Sequence, residues 1–265
     1  VKNYLPDTEI FIVRGESYNM KLTYKEDIYI LDKWFQLKTF NSTSKQLNRG
    51  YMNKLAGKTV VVFGGSSGIG LNLINMCRHY NANAVSFSRS ENGVDISDAS
   101  SVKDALNKVI KKQGRIDYIV NTAGILQREP LADMKLEDII NSININYLGA
   151  VIIAREAFPF IRESRGHILF FTSSSYTRGR SMYSIYSSSK AAIVNLTQAL
   201  SDEWGDFGIR INCINPERTR TPMRTKNFGI EPVDTLLEPE KVAGICIKTM
   251  LSNISGQVID VRREN

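Results

Sequence analysis

A glycine-rich segment that directly follows a strand pattern restricts the fold of this chain more than any other feature. Residues 59–63 are β-branched and apolar, and a helical pattern begins shortly after them. Between the two lies Gly64-Gly65-Ser66-Ser67-Gly68-Ile69-Gly70. Glycine permits positive φ and close approach of the backbone to a ligand, and a helix N-terminus attracts phosphate. A glycine-rich turn can also merely connect two elements, but at the start of an alternating array it predicts a nucleotide-binding turn.

The rest of the chain supplies that array. Short β-branched or apolar runs alternate with stretches of helical spacing, and the runs are residues 59–63, 84–88, 116–120, 167–171, 209–214 and 257–261. Such alternation is typical of a parallel sheet with helices on both faces. The predicted fold class is therefore α/β, a Rossmann-type doubly wound parallel sheet over residues 51–265.

Residues 1–50 do not follow this alternation and are predicted to form a short N-terminal appendage. They contain one strand-like run at residues 10–13, a helix-like stretch at about residues 24–37, and a polar segment at residues 39–50. Polar stretches of this kind usually connect domains.

Composition limits the classes of function. The cysteines Cys77, Cys213 and Cys246 are far apart, and His79 and His167 are the two histidines, so we expect neither a disulfide framework nor a metal site. No apolar run reaches the ~18–20 residues of a membrane span, and we expect a cytoplasmic protein without a membrane partner. The net charge of +7 either keeps the surface soluble or favours anionic ligands. The basic residues are scattered, which argues against nucleic-acid binding.

The end of the second predicted strand indicates which nucleotide is bound. An acidic residue there would accept hydrogen bonds from a ribose 2′-hydroxyl. This chain has Ser88 and Arg89 instead, and a hydroxyl beside a guanidinium suits a 2′-phosphate. Unless Arg89 is simply a solvated surface residue, this pair favours NADP(H) over NAD(H).

Tyr186 and Lys190 are the first candidate catalytic pair. They are four residues apart, so a helix would put both on one face. A tyrosine pKa near ~10 is too high for proton exchange at neutral pH, and a nearby ammonium lowers it. The pair could then exchange a proton with a carbonyl/alcohol couple, although the same spacing is common in ordinary surface pairs.

Ser173 is the third candidate. It follows the predicted strand at residues 167–171, and the carboxyl end of a strand lies at the ligand edge of an open α/β sheet. A hydroxyl there could donate a hydrogen bond to a substrate carbonyl oxygen. Serine-rich turns are also ordinary connectors, so the order of several motifs has to decide.

The order and spacing of the motifs resemble the short-chain dehydrogenase/reductase family, and the resemblance runs from about Leu55 to Val261. The motifs are the glycine turn, Asn121-Thr122-Ala123-Gly124, Ser173, Tyr186 and Lys190. The resemblance implies an enzyme in which Tyr186 gives its proton to the carbonyl oxygen while NADPH delivers hydride to carbon. Lys190 would lower the tyrosine pKa and bind the nicotinamide ribose.

The resemblance also implies the other site residues. Asn146 is similar to the asparagine that holds a proton-relay water near the lysine, and Ser173, thirteen positions before Tyr186, is preferred to Ser174 as the catalytic serine. The implied cofactor contacts are Gly64, Ser66, Ser67, Gly68, Ile69, Gly70, Ser88, Arg89, Asp95, Ile96, Asn121, Ala123, Gly124, Tyr186, Lys190, Pro216 and Thr221.

The chain departs from the family pattern at several positions. Phe63 stands where threonine is usual, Thr122 replaces a second asparagine, and Glu217 replaces the glycine of a Pro-Gly turn. Arg262 and Arg263 follow the last strand where a Gly-Gly pair is common. The path of the loop that would contact nicotinamide is therefore not predicted in detail.

Several arginines are expected around the mouth of the site. Guanidinium groups bind phosphate and carboxylate, so a small anionic carbonyl compound is the expected substrate, although any one of these arginines could simply be solvated. The candidates for a substrate phosphate are Arg178, Arg180, Arg218 and Arg220, with Arg128, Arg224 and Lys226 nearby.

The N-terminal segment carries a second resemblance. Asn19, Lys21, Thr23 and Asp27 match the Asn-x-Lys-x-Thr…Asp ending of sugar-phosphate and polyol-phosphate cytidylyltransferases. The glycine-rich CTP loop of those enzymes does not occur in these residues, so we do not expect cytidylyl transfer from them. Residues 1–50 are predicted to be the end of such a domain plus a linker.

A reductase joined to a cytidylyltransferase resembles the bifunctional enzymes that supply CDP-ribitol for surface polysaccharides. This resemblance implies reduction of D-ribulose 5-phosphate to D-ribitol 5-phosphate, with a fused or partner cytidylyltransferase domain. A 3-oxoacyl-type or other small-ketone reductase is the alternative, and a non-catalytic NADP-binding module is a weaker one because Ser173, Tyr186 and Lys190 are all present. The family resemblance also suggests a homodimer or homotetramer packed through the helices around Asn146 and Tyr186.

Overall fold

The computed structural model describes residues 20–31 and 49–263. The chain divides into two compact units, Val1–Ser42 and Thr43–Asn265. In the first unit a helix occupies residues 25–31, within the predicted stretch 24–37. The Asp27 carboxylate accepts hydrogen bonds from the backbone N–H groups of Thr23 and Tyr24 at 2.7 and 2.8 Å, and these bonds lower the pKa of Asp27. The predicted strand at residues 10–13 and most of the predicted linker lie outside the described residues.

The second unit is built on a parallel sheet of six strands, as predicted. Its strands are β1 (Thr59–Phe63), β2 (Asn83–Phe87), β3 (Tyr118–Asn121), β4 (His167–Phe171), β5 (Arg210–Pro216) and β6 (Val258–Val261). Their order across the sheet is β2-β1-β3-β4-β5-β6. All five neighbouring pairs are parallel, which confirms the Rossmann-type doubly wound fold class.

Helices cross over between the strands. They are α1 (Arg49–Met52), α2 (Gly68–His79), α3 (Arg89–Asn92), α4 (Ala99–Gln113), α5 (Leu136–Ile143), α6 (Gly149–Ser164), α7 (Ser184–Trp204), α8 (Pro222–Phe228) and α9 (Pro239–Leu251). A π-helical turn, Asn144–Leu148, joins α5 to α6. Short 3-10 turns occupy Asn53–Leu55, Ser174–Tyr176, Gly205–Phe207 and Val233–Thr235. Helix α2 packs against α9, and α4 packs against α6.

The core lies along the central strands. Every residue of β1, β3 and β4 is buried, as expected for parallel strands covered on both faces, whereas β2 at the edge is half-buried. Among the described residues, no helix has the length and apolar character needed to cross a membrane.

The sheet also fixes where a ligand can bind. Strand β1 pairs with β2 on one side and with β3 on the other, so the winding of the chain reverses between β1 and β3. At such a reversal the loops after the two strands turn to opposite faces and leave a crevice at their carboxyl ends.

Candidate active site

A cleft of about 500 Å³ opens at the carboxyl ends of the strands. Most of the predicted site residues line it: Gly64, Ser66, Ser67, Gly68, Ile69, Gly70, Ser88, Arg89, Asp95, Ile96, Ala123, Gly124, Ser173, Tyr186, Lys190, Pro216, Arg218 and Thr221. Residues that the sequence placed far apart are thus brought to one cavity, and their roles stay predictions.

The glycine turn packs too tightly for side chains. Gly64 has φ +86°, and a β-carbon there would lie 2.5 Å from the backbone nitrogen of Ala123. A β-carbon on Gly70 would lie 2.3 Å from the Gly64 carbonyl oxygen. Helix α2 begins at Gly68, and the Ser67 side chain makes no capping hydrogen bond. The first N–H groups of α2 are thus not capped by Ser67 and can serve an anionic ligand.

Thr122, one of the departures from the family pattern, holds this turn. Its hydroxyl lies 3.0 Å from the carbonyl oxygens of both Phe63 and Gly64. It therefore ties the segment after β3 to the end of β1, directly below the glycine turn.

The end of β2 presents hydroxyl and guanidinium groups to the cleft. The Ser88 hydroxyl accepts a hydrogen bond from the Glu91 N–H at 3.1 Å and so caps α3. Ser90 donates to the Ser66 hydroxyl at 3.3 Å, which links this strand end to the glycine turn. Arg89 lines the cleft and is exposed.

Tyr186 and Lys190 lie on one face of α7, with the Lys190 ammonium 5.5 Å from the centre of the tyrosine ring. Lys190 is buried and donates to the Phe171 carbonyl oxygen at 3.0 Å. Burial lowers the pKa of Lys190 to about 8. Burial also raises the pKa of Tyr186 to about 12, against the opposing effect of a hydrogen bond with Ser173. The lower tyrosine pKa expected from Lys190 is therefore not found in this structure, because burial outweighs the favourable contacts of the phenolate. Serine, tyrosine and lysine therefore meet at one end of the cleft.

Asn146 lies in the π-helical turn, behind the cleft surface rather than on it. Its side-chain amide forms a reciprocal pair with the Ile125 backbone, at 3.0 and 2.9 Å, and donates to the Ser142 hydroxyl at 3.2 Å. A β-carbon on Gly124 would lie 3.0 Å from the Asn146 side-chain oxygen and 3.6 Å from the Lys190 ammonium. Asn146 is thus close to Lys190 and fixes the loop after β3.

The remaining cofactor candidates differ in their surroundings. The Asp95 carboxylate accepts hydrogen bonds from the Ser97 hydroxyl and N–H at 2.6 and 2.9 Å, which lower its pKa. The Asn121 side chain is buried and accepts from the Ala123 N–H at 3.1 Å. Asn121 therefore lies behind the cleft wall and supports Ala123, which lines the cleft. The Thr221 hydroxyl caps α8 through the Arg224 N–H at 3.2 Å.

The predicted phosphate-binding arginines do not come together. Arg218 lines the cleft, but Arg220 forms an ion pair with Glu238 and is not part of the lining. Arg178 and Arg180 are exposed and also lie outside the lining. Arg224, which the sequence placed only in the neighbourhood, lines the cleft together with Arg218.

The sequence did not predict the aromatic residues Tyr183 and Phe228 in the cleft lining. Tyr183 packs edge-on against Tyr186 and against Phe228, with ring centres 6.3 Å apart in both pairs. No spacing rule connects these positions, because Phe228 belongs to α8 and its approach depends on how the segment after β5 folds back.

Two departures from the family pattern meet each other. The Glu217 carboxylate accepts a hydrogen bond from the Arg263 N–H at 3.0 Å, and this bond lowers the pKa of Glu217. The Arg263 guanidinium also donates to the Asp234 carbonyl oxygen at 2.7 Å. Glu217 thus joins the end of β5 to the segment after β6, where a glycine could not.

Comparison with known proteins agrees with this architecture. The family model of the short chain dehydrogenases matches residues 58–229. The bifunctional ribulose 5-phosphate reductase/CDP-ribitol pyrophosphorylase Bcs1 of Haemophilus influenzae is 45% identical over 257 residues, covering 97% of this chain and 54% of that protein. The chain therefore spans about half the length of this relative.

Other known proteins match a smaller share of this chain. Oxidoreductase UcpA of Salmonella typhimurium is 32% identical over 195 residues, covering 65% of this chain and 73% of that protein. The crystal structure of a 3-ketoacyl-(acyl-carrier-protein) reductase from Brucella melitensis, complexed with NADH, has 24% identity and a TM-score of 0.71. It covers 78% of this chain and 97% of its own, and this likeness shows the fold.

Proposed function

Because the chain belongs to the short-chain dehydrogenase family, we propose that it reduces D-ribulose 5-phosphate to D-ribitol 5-phosphate with NADPH. The observation that carries the proposal is the 45% identity to a bifunctional ribulose 5-phosphate reductase/CDP-ribitol pyrophosphorylase across 97% of this chain. Two arginines in the cleft wall, Arg218 and Arg224, support a phosphorylated substrate.

The chemistry follows from the groups that meet on α7. The Tyr186 hydroxyl donates its proton to the carbonyl oxygen of the ketose, and the Ser173 hydroxyl donates a hydrogen bond to the same oxygen. The buried Lys190 ammonium stabilises the phenolate that proton donation leaves behind. A bound NADPH supplies the hydride.

The cleft suits a dinucleotide, and its end at β2 supports the preference for NADPH. The turn packs so closely that β-carbons on Gly64 and Gly70 would clash with protein atoms, and the N-terminus of α2, which follows the turn, suits a pyrophosphate. Ser88 and Arg89 stand where an acidic residue would select NADH, and a guanidinium favours a 2′-phosphate.

The relative's second activity indicates the setting of the reaction. We infer that D-ribitol 5-phosphate passes to a pyrophosphorylase domain, fused to this chain or associated with it, which makes CDP-ribitol for surface polysaccharide. We propose that this takes place in the cytoplasm and in a homo-oligomer of the reductase.

The proposal is tested by following NADPH oxidation. We expect turnover with D-ribulose 5-phosphate, much slower turnover with NADH, and none with a 3-oxoacyl thioester. Tyr186→Phe should lose at least about a hundredfold in kcat while it still binds NADPH in a fluorescence titration. Tyr183→Phe is the matched control, because it removes a neighbouring hydroxyl from the same cleft.

Two outcomes would contradict the proposal. Turnover of the thioester without turnover of D-ribulose 5-phosphate would favour the small-ketone reductase instead. Undiminished turnover by Tyr186→Phe would exclude the assigned proton donor.

A further inference from the structure

The segment between β5 and α9 contains two arginine–glutamate pairs that differ in position. Arg220 and Glu238 form one pair, with side chains 55% and 41% exposed, outside the cleft lining. Arg224 and Glu231 form the other, with side chains only 20% and 17% exposed, and Arg224 faces the cleft. One arginine–glutamate ion pair is thus exposed to solvent, and the other lies at the candidate site.

Glu231 holds two cleft arginines at once. Arg224 donates two hydrogen bonds to the Glu231 carboxylate, at 2.6 and 2.8 Å. An Arg218 nitrogen lies 3.9 Å from the same carboxylate. The Glu231 carboxylate therefore lies beside two guanidinium groups. The hydrogen bonds from Arg224 lower the pKa of Glu231. A phosphate makes the same bidentate contacts with arginine and carries more negative charge.

Arg224 is also held in place by packing. Its guanidinium lies 3.7 Å from the centre of the Phe228 ring, and Arg128 covers the same ring at 4.6 Å. Arg128 also donates to the Asn227 carbonyl oxygen at 2.8 Å. An arginine stacked on an aromatic ring loses less conformational entropy when its nitrogens bind a ligand.

The position relative to the proton donor fits a short phosphorylated ketose. The Tyr183 ring centre lies 6.3 Å from the ring centres of both Tyr186 and Phe228. Arg224 stacks on Phe228, so two aromatic contacts link it to the proton donor within one cleft. A pentulose 5-phosphate carries its phosphate three carbons beyond the carbonyl carbon, at the opposite end of the same small molecule.

We propose that Arg224 and Arg218 bind the phosphate of the substrate and that Glu231 occupies them until the phosphate displaces it. The proposal rests on the proposed function for the identity of the substrate. It makes Arg224 and Arg218 the specificity-determining residues and Glu231 a built-in competitor. Arg220, held by Glu238, takes no part.

The test separates phosphate recognition from catalysis. Arg224→Met keeps most of the aliphatic stem over Phe228 and removes the charge. We expect it to raise KM for D-ribulose 5-phosphate between about tenfold and a hundredfold, with little change in kcat or in turnover of unphosphorylated D-ribulose. Arg220→Met is the matched control and should leave both substrates unaffected.

Glu231→Gln tests the competition. The neutral amide no longer competes with a dianion, so KM for D-ribulose 5-phosphate should fall several-fold, while a purely structural ion pair would make KM rise. Thermal unfolding of each variant shows whether it is folded. Equal effects of Arg224→Met and Arg220→Met, or a rise in KM for Glu231→Gln, would overturn the proposal.

A calorimetric titration with inorganic phosphate keeps this inference separate from the proposed function. If the wild type does not turn over D-ribulose 5-phosphate, the proposed substrate is wrong. The phosphate site still stands if inorganic phosphate binds the wild type and Arg220→Met but not Arg224→Met. Equal binding to all three proteins would overturn it.

Discussion

Gly70 has no space for a side chain, not even for the methyl group of alanine. The β-carbon would lie 2.3 Å from the Gly64 carbonyl oxygen and 2.5 Å from the Thr122 hydroxyl. Gly70 lies in α2, where alanine normally stabilises a helix by about 1 kcal/mol over glycine. We expect Gly70→Ala to destabilise the protein by about 1–3 kcal/mol instead and to weaken NADPH binding, as measured by urea unfolding and fluorescence titration.

Gly179→Ala is the control for this substitution. A β-carbon at Gly179 meets nothing within 4 Å. The Gly179→Ala variant should therefore match the wild type in stability and in NADPH affinity. Wild-type affinity in Gly70→Ala would mean that the close packing of the turn does not position the cofactor.

The sequence predicted which catalytic candidates share one cleft, but it did not predict which way the arginines point. Tyr186, Lys190 and Ser173 were expected together, and all three line one cleft. Spacing explains this: Ser173 follows β4, and Tyr186 and Lys190 lie one turn apart on α7, the helix that comes next. Arg220 was expected at the substrate, but it pairs with Glu238, eighteen residues later. A backbone bridge between the neighbouring residues Thr219 and Leu237 brings the two segments together, and no local sequence pattern predicts such a bridge.

Asp117 joins the beginnings of β1 and β3. Its buried carboxylate accepts a hydrogen bond from the Thr59 N–H at 2.9 Å and from Arg115 at 2.6 and 3.1 Å. Asp117→Ala would leave the Thr59 N–H buried without its partner, so we expect a loss of roughly 2–4 kcal/mol in the free energy of unfolding. Urea denaturation measures this loss.

Two further variants interpret that result. Asp117→Asn keeps an acceptor for the Thr59 N–H and should lose less than Asp117→Ala. Asp104→Ala removes an exposed carboxylate from α4 and should change stability by no more than about 0.5 kcal/mol. Equal losses for Asp117→Ala and Asp104→Ala would show that the Asp117 contacts contribute nothing.

Some strand boundaries differ between the predicted and the observed elements. The apolar run at residues 116–120 predicts a strand that begins two residues before β3 does, because Ile116 and Asp117 have strand-like neighbours. Strands β1 and β4 begin and end as predicted, since both are continuous buried runs. Strand β5 continues to Pro216, two residues past its prediction, because it pairs with β6 as far as Val261. Such pairing is not visible in one segment alone.

At the scale of the whole molecule, His167 links global stability to pH. It is fully buried, with one ring nitrogen 2.7 Å from the Asn212 amide nitrogen and the other 3.3 Å from the Met250 carbonyl oxygen. Burial, together with the charge of Arg210, lowers the pKa of His167 to about 3. The unfolded chain, with an ordinary histidine pKa near ~6.5, therefore binds more protons than the folded protein at pH values between these two.

Stability should consequently fall as the pH drops from about 6.5 toward 3, with a contribution from His167 of up to about 1.4 kcal/mol per pH unit. Well above pH 6.5 the histidine is neutral in both states and contributes no slope. Urea unfolding of the wild type and of His167→Gln at several pH values between 6.5 and 5 measures the difference. His79→Gln, at an exposed position, is the control. If the wild type and His167→Gln lose stability in parallel, the buried histidine is not the cause.

The π-helical turn Asn144–Leu148 makes this part of the chain sensitive to the deletion of a single residue. It contains one more residue than an α-helical turn would, and each helical residue rotates the following segment by about 100°. Deleting a single residue there would turn the buried face of α6, which includes Ile153, Ala157 and Ile161, away from the core relative to α5.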